Sequence, residues 1–280
     1  MIAGLSGFYM GWRLFNAITS HRTASVESPA QGGTNAGPTP QASPGPSTGQ
    51  PSPPSGPTVP TPGTITFSPG ASTIYSYQVA ALDKERSALA EAVRWQSRGY
   101  PAYVTYLASS PPPYKVRIGA FGDKAVATAY GASLKKAGVS GFMTSVAIPS
   151  GSRTWRGSDV AYLGALKKAA EEVAGLVPAE TGWLDAYYQH KLDLAALKTR
   201  ADQWKERLRQ AGQGLAAGAP ADLASLGSRV GEALKAAETA LDDLAAFAGG
   251  GPAEAYGKAV GAYMKAVDAY RAVLAWDGNK

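Results

Sequence analysis

Side chains able to bind without reacting gather on one register of three short segments. If residues 75–82 form a strand, alternation sets Ser76, Gln78 and Ala80 on one face, opposite Tyr75, Tyr77, Val79 and Ala81. In 114–119, Lys115, Arg117 and Gly119 oppose Tyr114, Val116 and Ile118. In 102–107, Tyr103 and Thr105 oppose Ala102, Val104 and Tyr106. A glutamine amide donates and accepts, and ammonium and guanidinium groups donate only. A tyrosine ring offers a flat apolar plate. Such a set suits hydroxyls, N-acetyl groups and carboxylates, held and not transformed.

Reactive chemistry finds little support. The chain has no cysteine and two histidines, His21 and His190, far apart in sequence. Thiolate chemistry, disulfides and cysteine zinc sites are excluded, and neither a histidine metal cluster nor a Ser-His-Asp triad is supported. Glu171 and Glu172 are adjacent on a predicted helix and therefore diverge. Gly249, Gly250 and Gly251 lack the Lys and Ser/Thr of a phosphate loop. The expectation is a binding protein with no catalytic residues, no metal and no cofactor.

The elements that position the binding side chains read as one unit used twice. Residues 75–82 and 114–121 each run from an aromatic through alternating residues to small ones and a large apolar residue. A helical pattern follows each, over 83–96 and 123–137, closing near Gly99 and Gly138. A further strand follows each helix, at 102–107 and 142–148. The result is β-α-β-β-α-β, with both helices on the apolar sheet face and the polar face open.

Two motifs carry a family resemblance. Tyr75-Ser-Tyr-Gln-Val-Ala-Ala-Leu82 and Tyr114-Lys-Val-Arg-Ile-Gly-Ala-Phe121 resemble the paired motifs of the SPOR (sporulation-related repeat) domain. The turn Gly99-Tyr-Pro-Ala102 fits as well. The first motif departs at Ala80, where the family has glycine, and at Leu82, where it has phenylalanine. The second departs at Ala120, where it has proline. The resemblance covers little more than a quarter of the chain. It implies a bacterial module that binds peptidoglycan glycan strands stripped of their stem peptides, at division or sporulation septa. It also implies that Gln78 and the second motif, with Lys115, Arg117 and Gly119, belong to the binding face; Ser76, Ala80 and Tyr103 join them by strand alternation. A methyl group at Ala80 would narrow the floor of that face.

Charge agrees with an anionic ligand. Residues 1–72 carry two basic and one acidic side chain, residues 73–149 nine and four, and residues 150–280 sixteen of each. Most of the net charge of +6 thus sits on the α/β module. A basic sheet of this order is also the plan of RNA-recognition domains. Those place aromatics centrally, where this sheet places Gln78, Lys115 and Arg117, so nucleic acid is not the expected partner.

The flanks complete the layout. Residues 1–20 are mostly apolar, with Arg13 inside the run, and read as the tail of a membrane helix beginning upstream. Residues 21–72 hold twelve of the twenty prolines among Ser, Thr, Gly and Gln, the composition of an extended, disordered linker. The α/β module occupies 73–149. Residues 150–280 then read as a short linker, 150–157, and an all-α bundle with helices at 158–176, 181–211, 221–248 and 253–276. Pro178, residues 212–220 and residues 249–252 are the expected breaks. Trp155, Trp183, Trp204 and Trp276 are expected to pack in the core or at its rim.

The fold class is therefore α+β: a SPOR-like sandwich, then a helical bundle, after a linker and a membrane helix. The expected partners are peptidoglycan glycan strands, the bacterial cytoplasmic membrane through residues 1–20, and a septal or sporulation protein through the helices. The folded parts are expected outside the cytoplasm of a single-pass protein. The competing reading is a protein-interaction scaffold that acts through the helices and carries a degenerate α/β module.

Overall fold

The computed structural model describes residues 63–277. The expected membrane helix, 1–20, and the linker up to residue 62 lie outside the described residues. Among those described, no helix is long and apolar enough to cross a membrane.

The α/β module forms as its pattern requires. Strands β2 (Ser72–Leu82), β3 (Ala102–Tyr106), β4 (Tyr114–Phe121) and β5 (Phe142–Ile148) make one sheet in the order β3-β4-β2-β5, with every neighbour antiparallel. Helix α1 (Glu85–Gln96) buries Ala88, Ala92 and Trp95, spaced four and three residues apart along one stripe. Helix α2 (Lys124–Lys136) begins where the Asp123 carboxylate accepts the Ala125 and Val126 N–H groups, at 2.6 and 3.4 Å. It buries Val126, Ala127, Tyr130 and Leu134 against the sheet. The Tyr77 ring lies close enough to Gly131 that a Cβ there would meet it at 3.2 Å. This fixes the Tyr77 face as the one under α1 and α2.

The linker ends earlier than its composition predicts. Residues Gly63–Phe67 form a strand, β1, paired antiparallel with β6 (Arg153–Gly157) from Gly63 opposite Gly157 to Phe67 opposite Arg153. Both lie in segments expected to be unstructured. Alternation of Ile65 and Phe67 with threonines is visible in the sequence, but each strand needs its partner, about ninety residues away, to satisfy its backbone. Phe67 packs on Trp155 with ring centroids 5.4 Å apart, and both are fully buried.

The bundle has four long helices among the described residues; the first two have boundaries different from those expected, and the last two follow the expected spans closely. Helix α3 (Val160–Tyr188) runs straight through Pro178. Proline in a helix interior costs about 3 kcal/mol. Leu176, Val177, Trp183 and Leu184 are all buried around it, and full burial of such side chains contributes about 1.5–3 kcal/mol each. Tertiary packing therefore outweighs the local break. The helix ends instead at Gln189, after which exposed His190 takes a left-handed turn (φ 57°). Helix α4 (Leu194–Gln213) is capped by Asp193, whose carboxylate accepts the Ala196 N–H at 2.8 Å. A 3-10 turn at Ala221–Leu223 leads into α5 (Ala224–Ala248), and α6 (Ala253–Leu274) returns antiparallel to it. Trp183 meets Trp204 edge to face at 5.8 Å, and the Arg207 guanidinium lies 4.0 Å over the Trp204 ring. Trp155, Trp183, Trp204 and Trp276 all pack in the core or against its rim.

The sheet face expected to be open is covered. Helices α3 and α6 lie across β2, β3 and β4 on the side opposite α1 and α2. Strand β4 is buried on both faces while β5 stays largely exposed, and the apolar interior runs without a break from the module into the bundle. Reading the helical segments as a separate body had left this face to solvent.

Candidate binding face

Registers across the sheet place four side chains in one row. Tyr103 of β3 is opposite Arg117 of β4, Arg117 is opposite Gln78 of β2, and Gln78 is opposite Phe142 of β5. Paired residues project to the same side, so the row reads ring, guanidinium, amide, ring. With strands about 4.8 Å apart, it spans on the order of 14 Å. Beside it run Thr105 opposite Lys115, and Ser76 opposite Thr144. Of the expected residues, Ser76, Gln78, Tyr103, Lys115 and Arg117 come together here.

Two expected members do not join them, and β-bulges explain both. From Gln78 opposite Arg117 the ladder steps to Ala80 opposite Val116, so Val79 is an extra residue. The bulge turns Ala80 to the Val116 face, under α1 and α2, and sends Ala81 to the Lys115 face. Strict alternation assigned these two the wrong way round. A second irregularity falls between Tyr77 opposite Ile118 and Tyr75 opposite Phe121, where Gly119 and Ala120 stand against Ser76 alone. Gly119 has φ +71°, and a Cβ there would lie 2.5 Å from the Phe121 ring. Its buried position serves the bend, and its carbonyl accepts a hydrogen bond from the Tyr103 hydroxyl at 3.3 Å.

The row is half covered. Tyr103 and Arg117 are each 3 % exposed, Lys115 is 5 % and Ser76 is 2 %. Gln78 is half-buried, and Phe142 at the free end is 59 % exposed. The cover comes close because α6 presents glycines: a Cβ at Gly261 would lie 3.2 Å from the Tyr103 Cβ, and one at Gly257 would lie 2.8 Å from Gln96 Cγ of α1. Two glycines four residues apart on one helix face are visible in the sequence, and they are the signal that was missed.

Electrostatics under the cover are poorly balanced. Arg117 keeps Nε and Nη1 buried without a hydrogen-bond partner, and so does the Thr105 hydroxyl. Among the described residues, neither Arg117 nor Lys115 has a carboxylate within 4 Å. Asp268 of α6 feels the Arg117 charge but is itself shared with Arg271 at 3.6 Å, and burial holds its pKa above the ordinary carboxylate value. Burial likewise raises the Tyr103 hydroxyl. At the edge of the interface, one Asp185 oxygen accepts the Gly122 and Asp123 N–H groups at 3.0 and 2.8 Å, joining α3 to the end of β4. Desolvation pushes Asp185 up to about 6, against the opposing pull of those two N–H donors. Glu180, one turn earlier on α3, is 1 % exposed with both oxygens unpartnered, and burial raises it to about 8.

The row sets two rings, an amide and a positive charge side by side, of which Gln78 and Phe142 reach solvent while Tyr103 and Arg117 lie covered. It holds no nucleophile paired with a base. Among the described residues, no three His, Asp or Glu side chains gather as a metal site would require.

Residues 71–145 match the family model of the SPOR domain. No curated protein and no solved structure matches the chain. SPOR domains are in general peptidoglycan-binding modules of division proteins and are binding domains, not catalytic ones. The matched span runs from just before β2 to within β5, and thus includes every residue of the row. Residues 71–145 of this chain are a SPOR domain.

Proposed function

We propose that this chain is a membrane-tethered peptidoglycan-binding protein whose sheet face recognises glycan strands stripped of stem peptides, at a division or sporulation septum. The observation that carries the reading is the row Tyr103, Arg117, Gln78 and Phe142, lying within the span that matches the SPOR family. The rings at its ends stack on sugar faces. Gln78 exchanges hydrogen bonds with hydroxyl and N-acetyl groups, and Arg117 attracts the lactyl carboxylates that remain on a stripped strand. Two features support tethering: the apolar run 1–20, and the proline-rich composition of the stretch after it, which suits a spacer. The order of anchor, spacer, module and further helices resembles stage II sporulation protein B. Co-sedimentation of the full chain with amidase-treated and intact peptidoglycan tests the reading. Preference for treated material, lost in Gln78→Ala, is expected, and equal retention on both would overturn it.

A second reading rests on a specific observation, the burial of Tyr103, Lys115 and Arg117 beneath α3 and α6. On that reading the module is a structural base, and the bundle recruits a septal or sporulation protein. The same experiment separates the two, because a scaffold of this kind retains neither form of peptidoglycan.

A further inference from the structure

The strands β1 and β6 pair with each other and belong to the bundle. Phe67 packs on Trp155 and on Tyr270 of α6, Gly157 abuts Leu223, and the Arg153 guanidinium donates to the Leu274 carbonyl at 2.8 Å. The SPOR sheet, β2 to β5, is therefore an insertion within the helical unit. Its entry is residues 68–71 and its exit residues 149–152, four residues each. The two connections run side by side, with the Ser68 and Ser152 hydroxyls 3.0 Å apart. Each contains a proline and a glycine, and all but Pro69 are exposed. A Cβ at Gly70 would meet nothing within 4 Å, and Gly151 has φ +119°. Paired short links of this composition form a hinge between two bodies.

The surfaces that the hinge brings together are unlike the rest of the interior. The bundle core is mostly apolar, with Glu180 its buried carboxylate, whereas the sheet–bundle contact, beside the rings of Phe121, Tyr130 and Tyr188, contains Ser76, Thr105, Lys115, Arg117, Thr181, Asp185 and Asp268. It leaves two Arg117 nitrogens, the Thr105 hydroxyl and one Asp185 oxygen without partners. A buried, unpaired charge is strongly unfavourable, and separation would rehydrate it. This polar, incompletely paired contact lies over the half of the row that a ligand needs, while half-buried Gln78 and exposed Phe142 remain as a foothold.

We infer that the helical unit is an autoinhibitory lid hinged on residues 68–71 and 149–152, which occludes Tyr103 and Arg117 until it swings away. The inference rests on the glycan-binding reading for its ligand but not for its motion. Glycan on the full row and α6 on the same row are mutually exclusive. Ligand therefore selects the open form, and the apparent affinity is reduced by the open fraction.

A reversible staple tests the lid in the full chain. The chain has no cysteine, so Gln96→Cys with Gly257→Cys introduces a single disulfide between α1 and α6, outside the binding row. Two quantities are read in the oxidised and reduced states of this one protein. The first is the rate at which an amine-specific reagent modifies Lys115, followed by mass spectrometry. The second is retention on amidase-treated peptidoglycan. Amide exchange within α5 reports global opening. The expected result is Lys115 modification at least tenfold faster in the reduced chain, outpacing α5 exchange, with glycan retention reduced at least tenfold on oxidation. Lys115 modification that tracks α5 exchange, or glycan retention that is measurable and equal in both states, would overturn the lid. Gated Lys115 modification with no retention in either state would keep the lid and remove the glycan reading.

Discussion

Glu180 makes the stability of this protein depend on pH in a direction that its surroundings dictate. The carboxylate is on α3, almost fully buried, with neither oxygen hydrogen-bonded. The nearby Tyr263 hydroxyl donates to the Val177 carbonyl at 2.8 Å. Desolvation raises Glu180 to about 8 from its ordinary value of 4.5. Its folded-state pKa lies above its unfolded value, so the native state binds more protons between these two pH values. Stability must then fall as pH rises through that window. The distance between 4.5 and about 8, at roughly 1.36 kcal/mol per tenfold change in proton affinity, sets a ceiling of about 5 kcal/mol. Water entry on ionisation lowers the observable loss to about 2–3 kcal/mol. Glu180→Gln keeps shape and polarity and cannot ionise. At pH 5 it should unfold in urea within about 1 kcal/mol of the wild type. At pH 8.5 it should be more stable by about 2–3 kcal/mol. Asp185, raised to about 6, adds its own decline at lower pH, so the variant should flatten only the upper arm of the curve. Circular dichroism across pH 5 to 8.5 measures both proteins. Parallel curves would refute the argument, because they would mean that Glu180 is hydrated or partnered in the folded state.

Arg117→Met replaces an unpaired buried charge with an apolar side chain of similar reach. It should leave stability unchanged or raise it by about 1–4 kcal/mol while abolishing glycan retention; a lower melting temperature would show that the guanidinium is satisfied. Gln78→Ala, on the uncovered part of the row, should shift stability by no more than about 0.5 kcal/mol. It should weaken glycan binding by about 1 kcal/mol, the range for a neutral hydrogen bond, as read by co-sedimentation titration. Asp185→Ala removes the acceptor of the Gly122 and Asp123 N–H groups and should cost about 1–3 kcal/mol in urea unfolding at pH 7. Lys115 should also be modified faster in that variant, since the contact tying α3 to the sheet is gone.

Much of the module was legible in the residues because its determinants are local. The motif at 114–121 is β4, and Asp123 caps α2 as a short acidic side chain before an alanine-rich run should. Residues 142–148 form β5 with those boundaries. The failures share a different cause. Pro178 is a sound local stop signal, overruled by the side chains buried around it. The strand Gly63–Phe67 has weak local character and exists because Arg153–Gly157 lies beside it. Ala80 was placed on the wrong face because one extra residue, Val79, shifts everything beyond it, and period-two reasoning has no means of locating a bulge.

Gln78, Lys115 and Arg117 share a face because strand geometry alternates side chains, and the sequence alone determined that much, along with the two motifs that match the SPOR domain. Whether the face meets solvent is a relation between surfaces about sixty residues apart for α3 and more than a hundred for α6. It depends on two glycines of α6 allowing a helix to settle on Tyr103, and on β1 and β6 closing the chain into one body. Such contacts are set by shape and distance in three dimensions, so only the tertiary structure decided that half of the binding row lies covered.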